Sequence, residues 1–427
     1  MSGDKETMKE NVEEREDMDM SVPEEETHED SESIEDSIQE VSDYEEEIDQ
    51  SNPVIEKKLV HKKRKIIGIT LGSIVACVFV FALGVNFYLD YLVDKVNVLD
   101  PSKKLEYFPS ETEEPEISDD PTTTDTPNQV IEQIHQQMDD NTMNNGLNGV
   151  LDEDYVYNVM LLGSDTRNEK AVGNTDAVIL LSINKVTKKI YITSFMRDSY
   201  VTIPNYYKSR INTAFKKGPE VLFETMLSNF NIRVDKFVYI NFFSFIDVID
   251  ELGGIEVDIS KAEMKAMNKN FAEINHYLGA PEDDGVMTEY GVQNLSGKQA
   301  LAYSRVRYLT GNDFARTERQ RLVLEKMIAK VRNCNILELT GIADKVLELV
   351  TTNIPKSEIK SLLIDSISYL SYDVEQLRVP ANGTYTGLEV RGDQVLGIDF
   401  KENIKYIGEN IYGKVYEEED KKEVKNN

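Results

Sequence analysis

Cysteine occurs twice and histidine four times in this 427-residue chain, and both scarcities exclude chemistry. Cys77 lies inside an apolar run and Cys334 far downstream, with no Cys-x-x-Cys or Cys/His spacing. A disulfide framework and a zinc site are therefore not expected. His28 and His61 precede the apolar run, and His135 falls in a low-complexity stretch. His276 is left as the imidazole expected in a folded domain, which gives Ser-His-Asp or Cys-His catalysis little to work with. Chemistry is expected to run on carboxylates and arginines instead. Apolar residues are sparse over residues 1–56, where about 23 Asp/Glu face about 3 Lys/Arg. Such a segment repels itself and buries little, so it is expected to be disordered. The formal net charge of −31 describes this head more than the folded part, and is a weak guide to partners.

Charge is missing altogether from Ile66 to Leu89 (IIGITLGSIVACVFVFALGVNFYL). At helical rise this run is about 36 Å long, enough to cross a hydrocarbon core of about 30 Å. A cleaved signal peptide fits poorly, because a long charged head precedes the run. Lys57, Lys58, Lys62, Lys63, Arg64 and Lys65 crowd its N-terminal side, and Asp90, Asp94 and Lys95 follow it. The positive-inside rule then leaves residues 1–56 as a cytoplasmic tail, 57–65 as a basic juxtamembrane segment and 66–89 as a single signal-anchor span. Everything beyond is expected outside the membrane, with no nucleic acid as partner.

Residues 90–150 read as an extracytoplasmic linker. Pro101, Pro109, Pro115, Pro121 and Pro127 punctuate an acidic, Thr/Asn/Gln-rich stretch, with a short helix expected around Val130–Met138. From Tyr155 the pattern changes. YVYNVMLLG, Ala177–Ile183, Lys189–Phe195, Phe237–Ile240, Gly254–Ile259 and Gln376–Pro380 read as strands. Pro219–Phe230, Phe243–Glu251, Ser296–Arg305, Asp313–Arg332, Ile336–Val350, Lys356–Tyr369 and Phe400–Tyr412 read as helices, Ser296 being a plausible cap. The alternation predicts an α/β domain over 151–415, a mixed central sheet flanked by helices, with 416–427 a charged end.

Four clusters carry candidate chemistry. Asp165 and Arg167 follow the first strand, and Asp176 opens the next. Strand ends in α/β folds are common ligand sites, and two carboxylates with phosphate oxygens suit Mg²⁺; an Asx-turn and a surface contact are the plainer alternative. Arg197-Asp198 closes the KIYITSF strand and could bind an anion beside an acceptor hydroxyl, or form an exposed ion pair. Lys208 and Arg210 add positive charge nearby. Arg305 and Arg307 precede Asp313, Arg316, Arg319 and Gln320. On a helix 316, 319 and 320 share a face, a stripe suited to a polyanion at a helix N-terminus that Asp313 would cap. A solvated, salt-bridged face is the alternative. Val323, Leu324 and Met327 are expected to be core rather than a lipid groove.

The blocks LLGSDTR, NTDAVILLSIN, ITSFMRDSYVTIP, RINTAF, FVYINFFSFIDVIDELGGIEVDI, LSGKQALAYSRVR and GNDFARTERQR, in this order, resemble the LytR-CpsA-Psr domain over about Tyr155 to Tyr412. The resemblance implies an α-β-α domain that moves a glycopolymer phosphate from a polyprenyl diphosphate carrier to peptidoglycan. The polymer would be teichoic acid-like or capsular. It implies Asp165 and Asp176 as ligands of Mg²⁺, with Mn²⁺ as a substitute. Arg197, Arg305, Arg316 and Arg319 resemble the diphosphate-binding arginines, with Arg167, Arg307 and Gln320 beside them. Asp198 is expected to activate the acceptor hydroxyl, and Arg197, Arg305 and Arg319 to act with it in catalysis through the diphosphate. The lipid tail is expected in an apolar channel between helices and sheet. Phe195-Met196, Asn174 and Ala177 depart from the usual pattern. A non-catalytic binder of the same lipid, or a hydrolase acting on it, is the alternative.

Overall fold

The computed structural model describes residues 78–99, 128–144, 149–164, 174–307 and 312–416. Asp165 and Arg167, the acidic head, the basic segment and residues 66–77 of the expected span lie outside them, as do 417–427. Two compact units divide the chain, Met1–Ala82 and Leu83–Asn427. Of the first, residues 78–82 are described and are helical. Among the described residues no helix is long and apolar enough to cross a membrane.

The second unit opens with the rest of helix α1 (78–94), then β1 (Asn97–Val98) and α2 (Asn128–Asn144). Strands β2 (Val156–Ser164), β3 (Thr175–Asn184) and β4 (Lys189–Phe195) follow, then the short hairpin β5 (Tyr200–Thr202) and β6 (Lys208–Arg210). After α3 (Pro219–Phe230), β7 (Phe237–Ile240) and α4 (Phe242–Glu251) comes a subdomain of β8 (Ile255–Ile259), α5 (Lys261–Asn268), α6 (Phe271–Leu278), β9 (Gly291–Leu295) and α7 (Gly297–Ser304). The chain ends through α8 (Asn312–Arg332), α9 (Ile336–Val346), β10 (Thr351–Thr352), α10 (Lys356–Tyr369), β11 (Asp373–Val379), β12 (Tyr385–Val390), β13 (Asp393–Ile398) and α11 (Phe400–Tyr412).

Seven strands form one mixed sheet in the order β1-β10-β7-β2-β3-β4-β11, β8–β9 and β12–β13 being separate two-stranded sheets. β2, β3 and β4 pair antiparallel, whereas β7 joins β2, and β11 joins β4, in parallel. The two-residue period of the strands sorts side chains between two cores. Met160, Leu162, Val178 and Leu180 meet Met226 and Phe230 of α3 and Ile404 and Ile407 of α11. The alternate residues Val159, Leu161 and Leu181 meet Val93 and Val96 from the other chain segment, with Ile354 and Ile359. Helices thus cover both faces of a mixed sheet, as the alternation predicts. A satellite core joins α4, β8, β9, α5, α6 and α7 to Val323 of α8.

Three sequence expectations differ from what is observed. The stretch 90–150 contributes α1 residues, β1 and α2 to the folded unit, with Leu92, Val93, Val96, Ile131 and Met138 buried; sparse apolar positions sufficed because each lands on a core. His135, placed by composition in a linker, packs against Tyr200, its Nε2 3.0 Å from the phenolic oxygen. Asp313 is not a cap: α8 starts at Asn312, and the Asp313 carboxylate turns to Arg197.

Candidate active site

The site forms where β3 and β4 meet α8. Asp176 is the second residue of β3, and three guanidinium groups converge on it. Arg316 lies 2.8 Å from its Oδ2, Arg197 3.3 Å from its Oδ1, and Arg307 3.8 Å from Oδ2. These come from α8, from the turn after β4 and from the segment after α7. Burial opposes ionisation of Asp176, but Arg316, Arg197 and Arg307 outweigh it and hold the carboxyl below its ordinary range. Arg307 in turn is held below its usual value by burial and by the like charges of Arg316 and Arg197.

An acidic pair lies on the other side of Arg197, whose Nε is 3.4 Å from Asp313 and 3.5 Å from Asp198. Burial and the hydrogen bond with Asp313 push Asp198 up to about 7, against the pull of Arg197 and Arg210. Burial also resists charge on Asp313, but the bond from Asp198 and the nearby Arg197 and Arg316 hold it below the usual range. The pair therefore shares a proton that rests on Asp198. Arg210, on β6, reaches Asp198 at 3.8 Å and also pairs with Asp393 at the start of β13. That hairpin is tied in by the backbone bond from Leu396 N–H to the Asp198 carbonyl, 2.8 Å.

Beside Asp176 opens a cavity of about 330 Å³ whose walls are mostly aliphatic and aromatic. Leu161 and Ile179 come from the sheet, Phe245 and Val248 from α4, and Val323, Leu324 and Met327 from α8. Val323, Leu324 and Met327, expected to be core, are thus also cavity wall: the face that packs on the satellite core borders the void. Its polar lining includes Asp176, Arg305, Arg316 and Gln320. Arg316 is 3% exposed, and its Nε and one terminal nitrogen find no hydrogen-bond partner among the described residues. Leaving such donors buried and unpaired is costly, so the cavity wall is built with unspent capacity for an anion.

Of the residues singled out in the sequence, Arg197, Arg307 and Arg316 gather at Asp176, with Asp198 adjacent. Arg305 and Gln320 line the same cavity; Arg305 faces Glu273 at 3.3 Å and stands over the Phe242 ring. Arg319 leaves the stripe. Its Nε is 3.0 Å from Glu263, it donates to the Val306 carbonyl at 3.2 Å and it lies over Tyr303. The i, i+4 pair 316/320 faces the cavity, while position 319 faces α5. Sequence reasoning missed Asp393, for which a solitary aspartate opening a hairpin gives no signal. Among the described residues no group of three or more His, Cys, Asp or Glu comes together to hold a metal.

Comparison with known proteins agrees with this architecture. MsrR, a regulatory protein of Staphylococcus aureus (strain COL), is 29% identical over 250 residues, 58% of this chain and 71% of MsrR. TagU of Enterococcus faecalis (strain ATCC 700802 / V583) is a polyisoprenyl-teichoic acid–peptidoglycan teichoic acid transferase. It is 31% identical over 219 residues, 49% of this chain and 65% of TagU. Among solved structures, TagT bound to LIIa-WTA superimposes with a TM-score of 0.50 at 23% identity, over 61% of this chain and 94% of that one, and shares the fold. The LytR_cpsA_psr family model matches residues 122–405, well over half of the sequence, and the chain belongs to that family.

Proposed function

We propose that the protein is a membrane-anchored, extracytoplasmic phosphotransferase that moves a polyprenyl-diphosphate-linked glycopolymer onto peptidoglycan. The observation that carries this reading is Arg316, buried on the wall of an apolar cavity with unpaired N–H groups. A ligand that satisfies both features has an anionic head and a long apolar tail. Guanidinium forks match phosphate oxygens, and the aliphatic wall matches an isoprenoid.

Arg316, Arg305 and Arg197 bind and orient the diphosphate, and burial strengthens each contact. Asp198 takes the proton of the acceptor hydroxyl as its oxygen bonds to the phosphorus that carries the polymer. The bond from that phosphorus to the polyprenyl phosphate oxygen breaks, and polyprenyl monophosphate leaves. Protonated Asp198 is then restored by loss of that proton to solvent. A carboxyl pushed up to about 7 is matched to this task near neutral pH.

The donor set also suits Mg²⁺. Asp176 is an ionised carboxylate on the cavity wall, and a hard cation takes carboxylate and phosphate oxygens. Asp176 would hold it with Asp165, where it would offset charge building on the leaving phosphate.

The test is product analysis with the full chain in detergent, a synthetic polyprenyl-diphosphate-linked oligosaccharide and soluble peptidoglycan strands. Polymer joined to glycan is expected. Free phosphorylated polymer would make the protein a hydrolase, and an unchanged, tightly bound donor a carrier; either overturns the proposal.

A further inference from the structure

We infer that the folded unit sits directly on the outer leaflet, inserting apolar side chains from the ends of α9 and α10 that flank α1. This inference rests on the membrane-anchor reading above.

Contacts along α1 fix how the three helices run. Lys360 of α10 reaches Asn86 and Asp90, and Lys356 reaches Asp94 at 2.8 Å. Rising numbers on α10 therefore match falling numbers on α1. On the other flank, Tyr88 donates to the Thr340 carbonyl of α9 at 3.3 Å, and Lys95 pairs with Asp344 at 2.7 Å. Rising numbers on α9 match rising numbers on α1, so α9 runs parallel to it and its N-terminal turn lies beyond Thr340 toward lower α1 numbers.

Helical spacing then says what continues each stripe. On α10, Ile364 and Ile367 follow Lys360 at i+4 and i+7, and they are 56% and 60% exposed. On α9, Ile336 lies four residues before Thr340, with Leu337 beside it, and they are 61% and 79% exposed. All four arrive at the level of Leu83 and Phe87, themselves exposed. The ion pairs Asp90–Lys360, Asp94–Lys356 and Lys95–Asp344 lie behind this level, away from the apolar end. Scattered exposed apolar residues need no explanation, but a patch gathered on one end does.

What covers it follows from the chain itself. The uncharged run ends at Leu89, and Leu83 to Leu89 spans about 9 Å of helix. If that run crosses the bilayer, its last two turns lie at the outer interface. Ile336, Leu337, Ile364 and Ile367 are at the same height, where apolar groups enter by about 5–10 Å. Tyr88 and Tyr91 fall where aromatic side chains favour the headgroup zone. α9 also contributes Val346 to the cavity wall, so one helix joins the docked face to the lipid site.

The chain contains no tryptophan, which supplies the probe. Leu337→Trp and Ile364→Trp, made singly in the full chain and reconstituted into phosphatidylcholine vesicles, each carry one indole on an exposed position. Val186→Trp, in the exposed β3–β4 turn, is the control. Lipids brominated near the top of the acyl chains are expected to quench most emission from 337 and 364, with a blue shift, and to leave 186 unchanged. Quenching at 337 and 364 no greater than at 186 overturns the docking. A blue shift without quenching means that a protein, either a second copy or a partner, covers the face, and also overturns it. Resistance of the protein to alkaline extraction from the vesicles reports the anchor separately, so failure of the anchor and failure of the docking are told apart.

Discussion

Arg316 joins two environments, one bond to Asp176 and two nitrogens without a partner among the described residues. Arg316→Lys keeps the charge but removes the fork, and is expected to lower transfer by about 10²–10³-fold, measured as initial rate on the synthetic donor with the fold checked by circular dichroism. Asp198→Asn removes the proton acceptor and is expected to cost about 10²–10⁴-fold. In the unmutated protein the rate is expected to rise with pH through about 7 as Asp198 ionises, and the residual rate of the Asn variant is expected to be flat across that range. Asp393 acts through Arg210. Asp393→Asn leaves that guanidinium to Asp198, favours its ionised form and is expected to move the midpoint of the pH profile to lower pH. A uniform loss of rate with an unmoved midpoint would assign Asp393 a merely structural role. At this scale the sequence displayed the charged residues but not their pairings. Glu263 for Arg319, Glu273 for Arg305 and Asp393 for Arg210 each lie tens of residues away, and only folding decides which acid neutralises which arginine.

Local elements were legible where a pattern repeats. The apolar runs of β2, β3 and β4 announce a sheet buried on both faces, and Ser296 caps α7 with Gln299 closing the box at 3.0 Å. Next to that cap, Gly297 lies against α4. A Cβ at Gly297 would run into the Ile246 carbonyl, and the Gly297 N–H bonds Asp250 at 2.7 Å. Gly297→Ala is expected to destabilise the unit by about 1–3 kcal/mol, read from the urea midpoint, because a backbone carbonyl cannot move aside as a side chain can. Elements of two or three residues such as β1, β5, β6 and β10 carry too few positions for any period. α2 was legible as a short helix around Val130–Met138, but its Gln, Asn and Asp content hid its full length, Asn128–Asn144, and its packing on the core through Ile131 and Met138.

Across the molecule, the three site carboxyls make stability depend on pH in two directions. Asp198 is raised in the folded state, so the fold binds its proton more tightly than the unfolded chain does. That contribution is present at acidic pH and is lost as pH rises through about 7. Asp176 and Asp313 are depressed, so their contribution is present above the ordinary carboxylate range and is lost as pH falls below that range through their lowered values. The thermal midpoint is expected to be highest in mildly acidic buffer and to drop on both sides. In Asp198→Asn the decline toward neutral pH is expected to disappear, as calorimetry across pH 4–8 (roughly the span between the two sets of carboxyls) would show.

The longer strands and helices, the family and the arginine-rich blocks were determined by the sequence itself, because periodicity and local motifs are written in neighbouring residues. The tertiary structure alone decided that Arg319 leaves the stripe for Glu263, that the flank before the domain packs into it, and that an apolar cavity opens beside Asp176. Each of these depends on contacts between segments far apart in the chain, where burial and charge neutralisation are settled jointly rather than residue by residue.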